Sequence, residues 1–181
     1  GDYLIEAEYG FQKVSQAVTI EPCHRLALTF VLNVGGIRAM SKLDKLELPA
    51  GVTTRHAIYS MRGSDIGRLV TTSYNQGQVF RLGAGQYRIE SRFSPGNTIA
   101  QHTVTVKPGI LNSTELAHQA GLARITIGSS LNAAVAWEIR DIDGSWASGH
   151  TKPEAALVLA PGRYEVKAIV NGTVLRESFT I

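Results

Sequence analysis

One pattern occurs three times along this chain, and it dictates most of what the chain can become. The copies are Gly1-Asp2-Tyr3-Leu4-Ile5, Gly85-Gln86-Tyr87-Arg88-Ile89 and Gly162-Arg163-Tyr164-Glu165-Val166. They close on Val18-Thr19-Ile20, Val104-Thr105-Val106 and Phe179-Thr180-Ile181. Self-similarity of this kind means that one supersecondary unit is used repeatedly. In the second copy Tyr87, Ile89 and Phe93 alternate with Arg88, Glu90 and Arg92. In the third, Tyr164, Val166, Ala168 and Val170 alternate with Arg163, Glu165, Lys167 and Asn171. A period of two with one charged face predicts an antiparallel strand buried on one side. Turn signals follow at Tyr9-Gly10, Pro95-Gly96-Asn97 and Asn171-Gly172, so each copy predicts a hairpin.

The flanking segments align as well. Leu82-Gly83-Ala84-Gly85-Gln86-Tyr87 parallels Leu159-Ala160-Pro161-Gly162-Arg163-Tyr164. Further upstream, Ala57, Tyr59 and Met61 line up with Val135, Trp137 and Ile139, which predicts Trp137 and its counterpart Tyr59 as core residues. Residues 41–54 read as a loop insertion turning at Leu48-Pro49-Ala50-Gly51, at a domain end where extra length costs little. Residues 112–118 could open a helix capped by Asn112 with Glu115, but they occupy the place of residues 24–32. Both segments are therefore expected as strands. Residues 1–33 then form the C-terminal strands of a truncated first domain, 34–119 a second domain and 120–181 a third. The chain is expected to be the C-terminal part of a longer protein. Its orphaned first hairpin is expected to expose sheet edges, and to pair with another copy or lie against the second domain. Gly35-Gly36 reads as an interdomain joint, and the short junctions near residues 34 and 120 favour a stiff rod over a loose tether.

Charge and cysteine content narrow the function classes. The formal net charge is +3, with the charges scattered rather than clustered, so nucleic acid is not an expected partner. The apolar stretches are too short for direct membrane insertion. A lone Cys23 excludes an internal disulfide framework, so stability has to come from packing.

The motif Leu-x-x-Gly-x-Tyr-x-hydrophobic, carried by Leu82 to Ile89 and Leu159 to Val166 and ended by Gly1 to Ile5, resembles the bacterial Ig-like and carboxypeptidase-regulatory-like (prealbumin-like) β-sandwich repeats. The resemblance implies an all-β fold of tandem antiparallel Ig-like β-sandwich domains, the first one incomplete. It further implies a stalk, spacer or binding module of a bacterial envelope or secreted protein, in the periplasm or at the cell surface. Some such domains carry Lys–Asn cross-links. Here Lys13, Lys42, Lys107 and Lys167 fall at turns or polar faces, so none is expected.

Candidate chemistry is sparse. His24, His56, His102, His118 and His150 are scattered and read as surface or strand-edge residues, and Cys23-His24 cannot converge on one ion. No metal or cofactor is expected. Asp141-Ile142-Asp143-Gly144 resembles the start of a calcium loop but lacks the later ligands, and reads as a hairpin turn. Neither Ser64 nor Ser129 sits in a nucleophile elbow, and the carboxylates lie on polar faces with no acid–base pair. The expectation is that the chain is not an enzyme. Trp146, with Asp141 and Asp143, is the candidate ligand or partner contact. Two readings of its ring stand: it protrudes and stacks on a sugar or a protein partner, or it folds over the end of the sandwich. The functional expectation is a spacer or protein-interaction arm, with envelope protein or glycan as partner. The alternative is a carbohydrate- or peptidoglycan-binding module appended to an enzyme, using loops 41–54 and 141–150. A hydrolase site assembled across domains ranks third.

Overall fold

The alternating runs become strands almost wherever they occur. The computed structural model describes residues 1–44, 46–127, 135–170 and 172–181. Asn171 of the third turn and Ser129-Ser130 lie outside the described residues. The strands are β1 (Asp2–Tyr9), β2 (Gln12–Thr19), β3 (Val34–Leu43), β4 (Thr53–Ser60), β5 (Leu69–Ser73), β6 (Val79–Gly83), β7 (Gly85–Ser94) and β8 (Ile99–Val106). They continue as β9 (Leu111–His118), β10 (Gly121–Thr126), β11 (Val135–Asp141), β12 (Ala147–His150), β13 (Glu154–Leu159), β14 (Arg163–Val170) and β15 (Thr173–Thr180). A single 3-10 turn at Gly63–Asp65 is the helical element among the described residues.

Among the described residues the strands form five sheets, ordered β1-β2, β6-β3-β9, β5-β4-β7-β8, β10-β13 and β12-β11-β14-β15. The order β5-β4-β7-β8 thus recurs as β12-β11-β14-β15, and the β6-β3 pair recurs as β13-β10. Register recurs too: Tyr3 stands opposite Val18 and Tyr164 opposite Phe179, so both tyrosines face the first residue of their closing triplet. The chain is all-β, with antiparallel sandwiches in tandem along the sequence and the first represented by one hairpin.

Chain contacts divide into two compact units. One contains Gly1–Met40, Ala57–Ile89 and His102–Glu115. It buries Ile37, Ala39, Ile58, Phe80, Leu82, Ile89, Val104 and Val106. The other contains Ser41–His56, Glu90–Gln101 and Leu116–Ile181. Its main core lies between two sheets: Ala123, Leu157 and Leu159 from β10 and β13 meet Val135, Trp137, Ile139, Tyr164, Val166 and Ala168 from β11 and β14. This is the sandwich that the alternation of β14 requires, since period-two strands can hide their apolar side only against a second layer. Trp137 is 3% exposed, and its indole N–H, which burial would otherwise strand, donates to the Lys152 carbonyl at 2.7 Å.

The motif tyrosine has a local task. Tyr87 Oη donates to the Gly83 carbonyl at 2.9 Å and Tyr164 Oη to the Ala160 carbonyl at 2.7 Å, each four residues upstream. This is the tyrosine-corner arrangement of Greek-key sandwiches. It ties the strand entering the motif to the strand leaving it. Burial pushes the Tyr87 phenol up, which keeps it a donor. Replacing either tyrosine by Phe leaves a carbonyl unsatisfied and is expected to cost about 1–2 kcal/mol in urea unfolding. A loss below the error of that measurement would show that water takes over the bond.

Three expectations need correcting. Residues 24–32 form no strand. Their counterpart β9, by contrast, pairs with β3. Tyr59 is not the counterpart of Trp137. In β4 the period-two burial falls on Thr54, His56, Ile58 and Ser60, while Tyr59 is half-buried with the Arg88 guanidinium 4.8 Å over its ring. The polar character of three of those four positions reversed the apparent face. Finally, the insertion at 41–54 is strand at its two ends only: β3 runs to Leu43 and β4 starts at Thr53, and the connection between them turns where Val52 N–H donates to Pro49 O at 3.2 Å.

Candidate functional site

Hairpin tips are the most repeated feature outside the cores. The β1–β2 tip carries Gly10 at φ +63, a left-handed conformation that glycine adopts without strain. It rests on β6: Phe11 N–H donates to Arg81 O at 2.9 Å, and a Cβ on Gly10 would lie 2.5 Å from that same oxygen. Arg81 Nε also donates to Tyr9 Oη at 2.8 Å. The β7–β8 tip, Pro95-Gly96-Asn97, makes the corresponding contact on β13. Asn97 N–H donates to Val158 O at 3.3 Å, Val158 N–H donates to Pro95 O at 3.1 Å, and a Cβ on Gly96 would run into the Val158 carbonyl. Arg81 and Val158 each stand six residues before their motif tyrosine, so the two contacts are equivalent.

A side-chain amide lies at each joint. A Cβ on Gly83 would meet the Gln12 amide. At the equivalent Ala160, the backbone N–H donates to Asn97 Oδ1 at 2.8 Å, and Asn97 Nδ2 donates to Tyr164 Oη at 3.0 Å. A small apolar cluster supports the second joint, in which Leu43, Phe93 and Val158 are buried with Leu48, Val52, Ala120 and Leu122 around them. The sequence marked these tips as turns. It carried no mark of what they touch, because the acceptor is a backbone carbonyl.

The predicted contact residues occupy the β11–β12 turn. Asp141 organises it: Oδ1 accepts from Trp146 N–H at 3.0 Å, and the other oxygen accepts from the Ser145 hydroxyl. These bonds hold the Asp141 carboxyl below its ordinary range, the Ser145 bond most of all. Trp146 is half-buried against the core, edge-on to Tyr164 with ring centroids 6.5 Å apart. The structure therefore brings Asp141 and Trp146 together, while Asp143 stays exposed at the tip. At the far end of β12, His150 stacks on Trp137 at 4.3 Å and borders a cleft of about 580 Å3.

His56 and His118, read from sequence as surface or edge residues, are instead buried, at 0% and 1% exposure. Both belong to one hydrogen-bonded chain that runs from His56 to Thr98. His56 Nε2 meets Ser41 Oγ at 2.9 Å, Ser41 Oγ meets Ser91 Oγ at 2.5 Å, Ser91 Oγ meets His118 Nε2 at 2.9 Å, and His118 Nδ1 meets Thr98 Oγ1 at 3.1 Å. Four bonds are satisfied by one-way donation with both imidazoles neutral, and His56 Nδ1 is left without a partner among the described residues. Burial, and secondarily the charge of His56, lowers the His118 pKa to about 4, and burial lowers that of His56. The Ser–His contacts resemble a nucleophile and base, yet Ser91 is 0% exposed and no substrate can reach it. The alternation Thr54, His56, Ile58, Ser60 was the one signal that could have revealed the chain.

Among the described residues, no group of three or more His, Cys, Asp or Glu side chains could hold a metal ion. No helix among them is long and apolar enough to cross a membrane. The geometry defines a β-sandwich protein with repeated backbone joints. No protein-family model matches the chain, and no curated protein matches it in sequence. Among solved structures it is similar to a DUF3823 family protein from Parabacteroides merdae, at 12% identity over 82% of this chain and 98% of that one, with a TM-score of 0.35. It is similar to a streptococcal ancillary pilin at 11% identity over 94% of this chain and 66% of that one, with a TM-score of 0.39. A shaft pilin from Lactobacillus rhamnosus gives 8% identity over 82% and 93%, with a TM-score of 0.35.

Proposed function

We propose that this chain is a non-catalytic spacer or protein-interaction arm of a bacterial envelope or secreted protein, placed in the periplasm or at the cell surface. Its units are tandem Ig-like sandwiches of the prealbumin-like kind, divided at residues 1–33, 34–119 and 120–181. The observation that supports this reading is the repeated joint. The same backbone contact, a tip meeting the carbonyl six residues before a motif tyrosine, is built twice along the chain, each time within one compact unit. The partner contact we assign is the 141–150 turn, with Trp146, Asp141 and Asp143. The β1–β2 hairpin, whose Tyr3 and Leu4 are 55% and 66% exposed, is assigned to pairing with a second copy.

Co-sedimentation with envelope fractions tests the reading. Saturable pelleting with sacculi or outer membrane, weakened by Trp146→Ala, is the expected result for an interaction arm. Pelleting that Trp146→Ala leaves unchanged moves the contact elsewhere, and no pelleting leaves the spacer. Hydrolysis of an envelope component by the purified chain would overturn both. Analytical ultracentrifugation of the same preparation is expected to show a dimer, and a monomer at every concentration would remove the assigned self-pairing.

A further inference from the structure

We propose that the outer edge of β13 is a strand-acceptor site for an extended acidic peptide. The inference rests on the interaction-arm reading and names a partner for it. The direction of the backbone groups carries it. Val158 turns its N–H and its C=O away from β10, to Pro95 O and Asn97 N–H. Pro153 turns its carbonyl the other way, accepting from Ile127 N–H at 2.7 Å. Backbone groups alternate sides along a strand, so Glu154 and Ala156 point outward with Val158, while Ala155 and Leu157 bond to β10. The Pro95–Asn97 turn covers this edge at one point, through the parallel Gly96–Val158 bridge. Glu154 and Ala156 remain open at the border of the 580 Å3 cleft.

The shape of the cleft suits a strand. Its walls near the edge include Ala50, Gly51, Ala155 and Ala156, all small residues, and an added strand would lie roughly 4.8 Å from β13. The short turn already seated on Val158 shows that the edge takes a parallel backbone. Lys152 and Arg124 line the same cleft, with Arg124 held by Glu154 at 3.0 Å. This balance favours an acidic side chain on the incoming peptide, in the mode where main-chain bonds give affinity and side-chain sites give preference.

Amide hydrogen exchange of the full chain, read by NMR, tests the site, with a capped peptide of alternating valine and aspartate as probe. In the free protein the Glu154 and Ala156 amides are expected to exchange at least about tenfold faster than those of Ala155 and Leu157. The peptide is expected to slow those two saturably. Ala156→Pro removes only an outward N–H, which an edge strand tolerates, and is expected to weaken the peptide about tenfold. Should that variant not fold, Lys152→Glu and the wild-type exchange pattern decide. Slow Ala156 exchange in the free protein overturns the proposal, as does peptide binding that leaves Ala156 unchanged. An equal affinity for a valine–lysine peptide overturns its acidic preference. Protection by soluble peptidoglycan fragments but not by the peptide assigns the cleft to a saccharide instead. Failure to pellet with envelope fractions counts against the arm reading alone and leaves the exchange pattern standing, so the two fail separately.

Discussion

Gly96→Val is expected to lower the stability of the C-terminal sandwich by about 3 kcal/mol, although residue 96 lies outside the repeat in which that sandwich sits. The added Cβ cannot coexist with the Val158 carbonyl, so the Pro95–Asn97 turn must lift away. Lifting it breaks the two backbone bonds at Val158 and the Asn97 bonds to Ala160 and Tyr164. Each buried bond lost costs about 1 kcal/mol, more where a group is left unpaired. Both tryptophans of the chain, Trp137 and Trp146, belong to the affected sandwich, so urea unfolding followed by tryptophan fluorescence reports it directly. Gly149→Ala is the control: nothing lies within 4 Å of the added carbon, and its cost is expected to stay within about 0.5 kcal/mol. A loss at Gly96 no larger than the control would mean that the joint bears no load.

Acid is expected to destabilise the protein steeply between pH 6.5 and about 4. The sign follows from His118, whose folded-state pKa is near 4 against an ordinary 6.5. Above pH 6.5 both folded and unfolded forms carry a neutral imidazole, and the group contributes nothing to pH dependence. As pH falls below 6.5 the unfolded chain takes up a proton that the folded chain refuses, and stability drops. The drop from this one residue approaches about 3 kcal/mol near pH 4 and then levels off, since both forms are protonated below that. His56, shifted in the same direction by burial, adds to it. The refusal has a geometric cause: an extra proton would place an imidazolium among Ser91, Thr98 and Phe93, with no carboxylate bonded to it. Urea midpoints measured across this range should fall accordingly. His118→Gln should cost stability at neutral pH but flatten the slope, and an unchanged slope in that variant would remove His118 as its source.

Legibility from sequence tracked how far each residue's task was local. Tyr164, Val166 and Ala168 are buried where the alternation put them, and residues 112–118 fall within the strand β9 that the repeat favoured over a helix. Those features depend on period and on repetition, both visible in one dimension. His56 was misread because its polarity is satisfied by Ser41, and His118 because its partners are Ser91 and Thr98. No local pattern announces partners so distant in sequence. Trp146 left two readings open, because a large aromatic ring suits a core margin as well as an exposed contact, and its half-buried place against Tyr164 depends on how the turn at Asp141 closes.

The joints have an evolutionary consequence. What each tip meets is a main-chain carbonyl, at an arginine in one case and a valine in the other. A contact read through the main chain asks almost nothing of the side chain that happens to be there. The backbone part of each joint would survive a change of the residue it meets, whereas the side-chain bonds Asn97 to Tyr164 and Arg81 to Tyr9 would not.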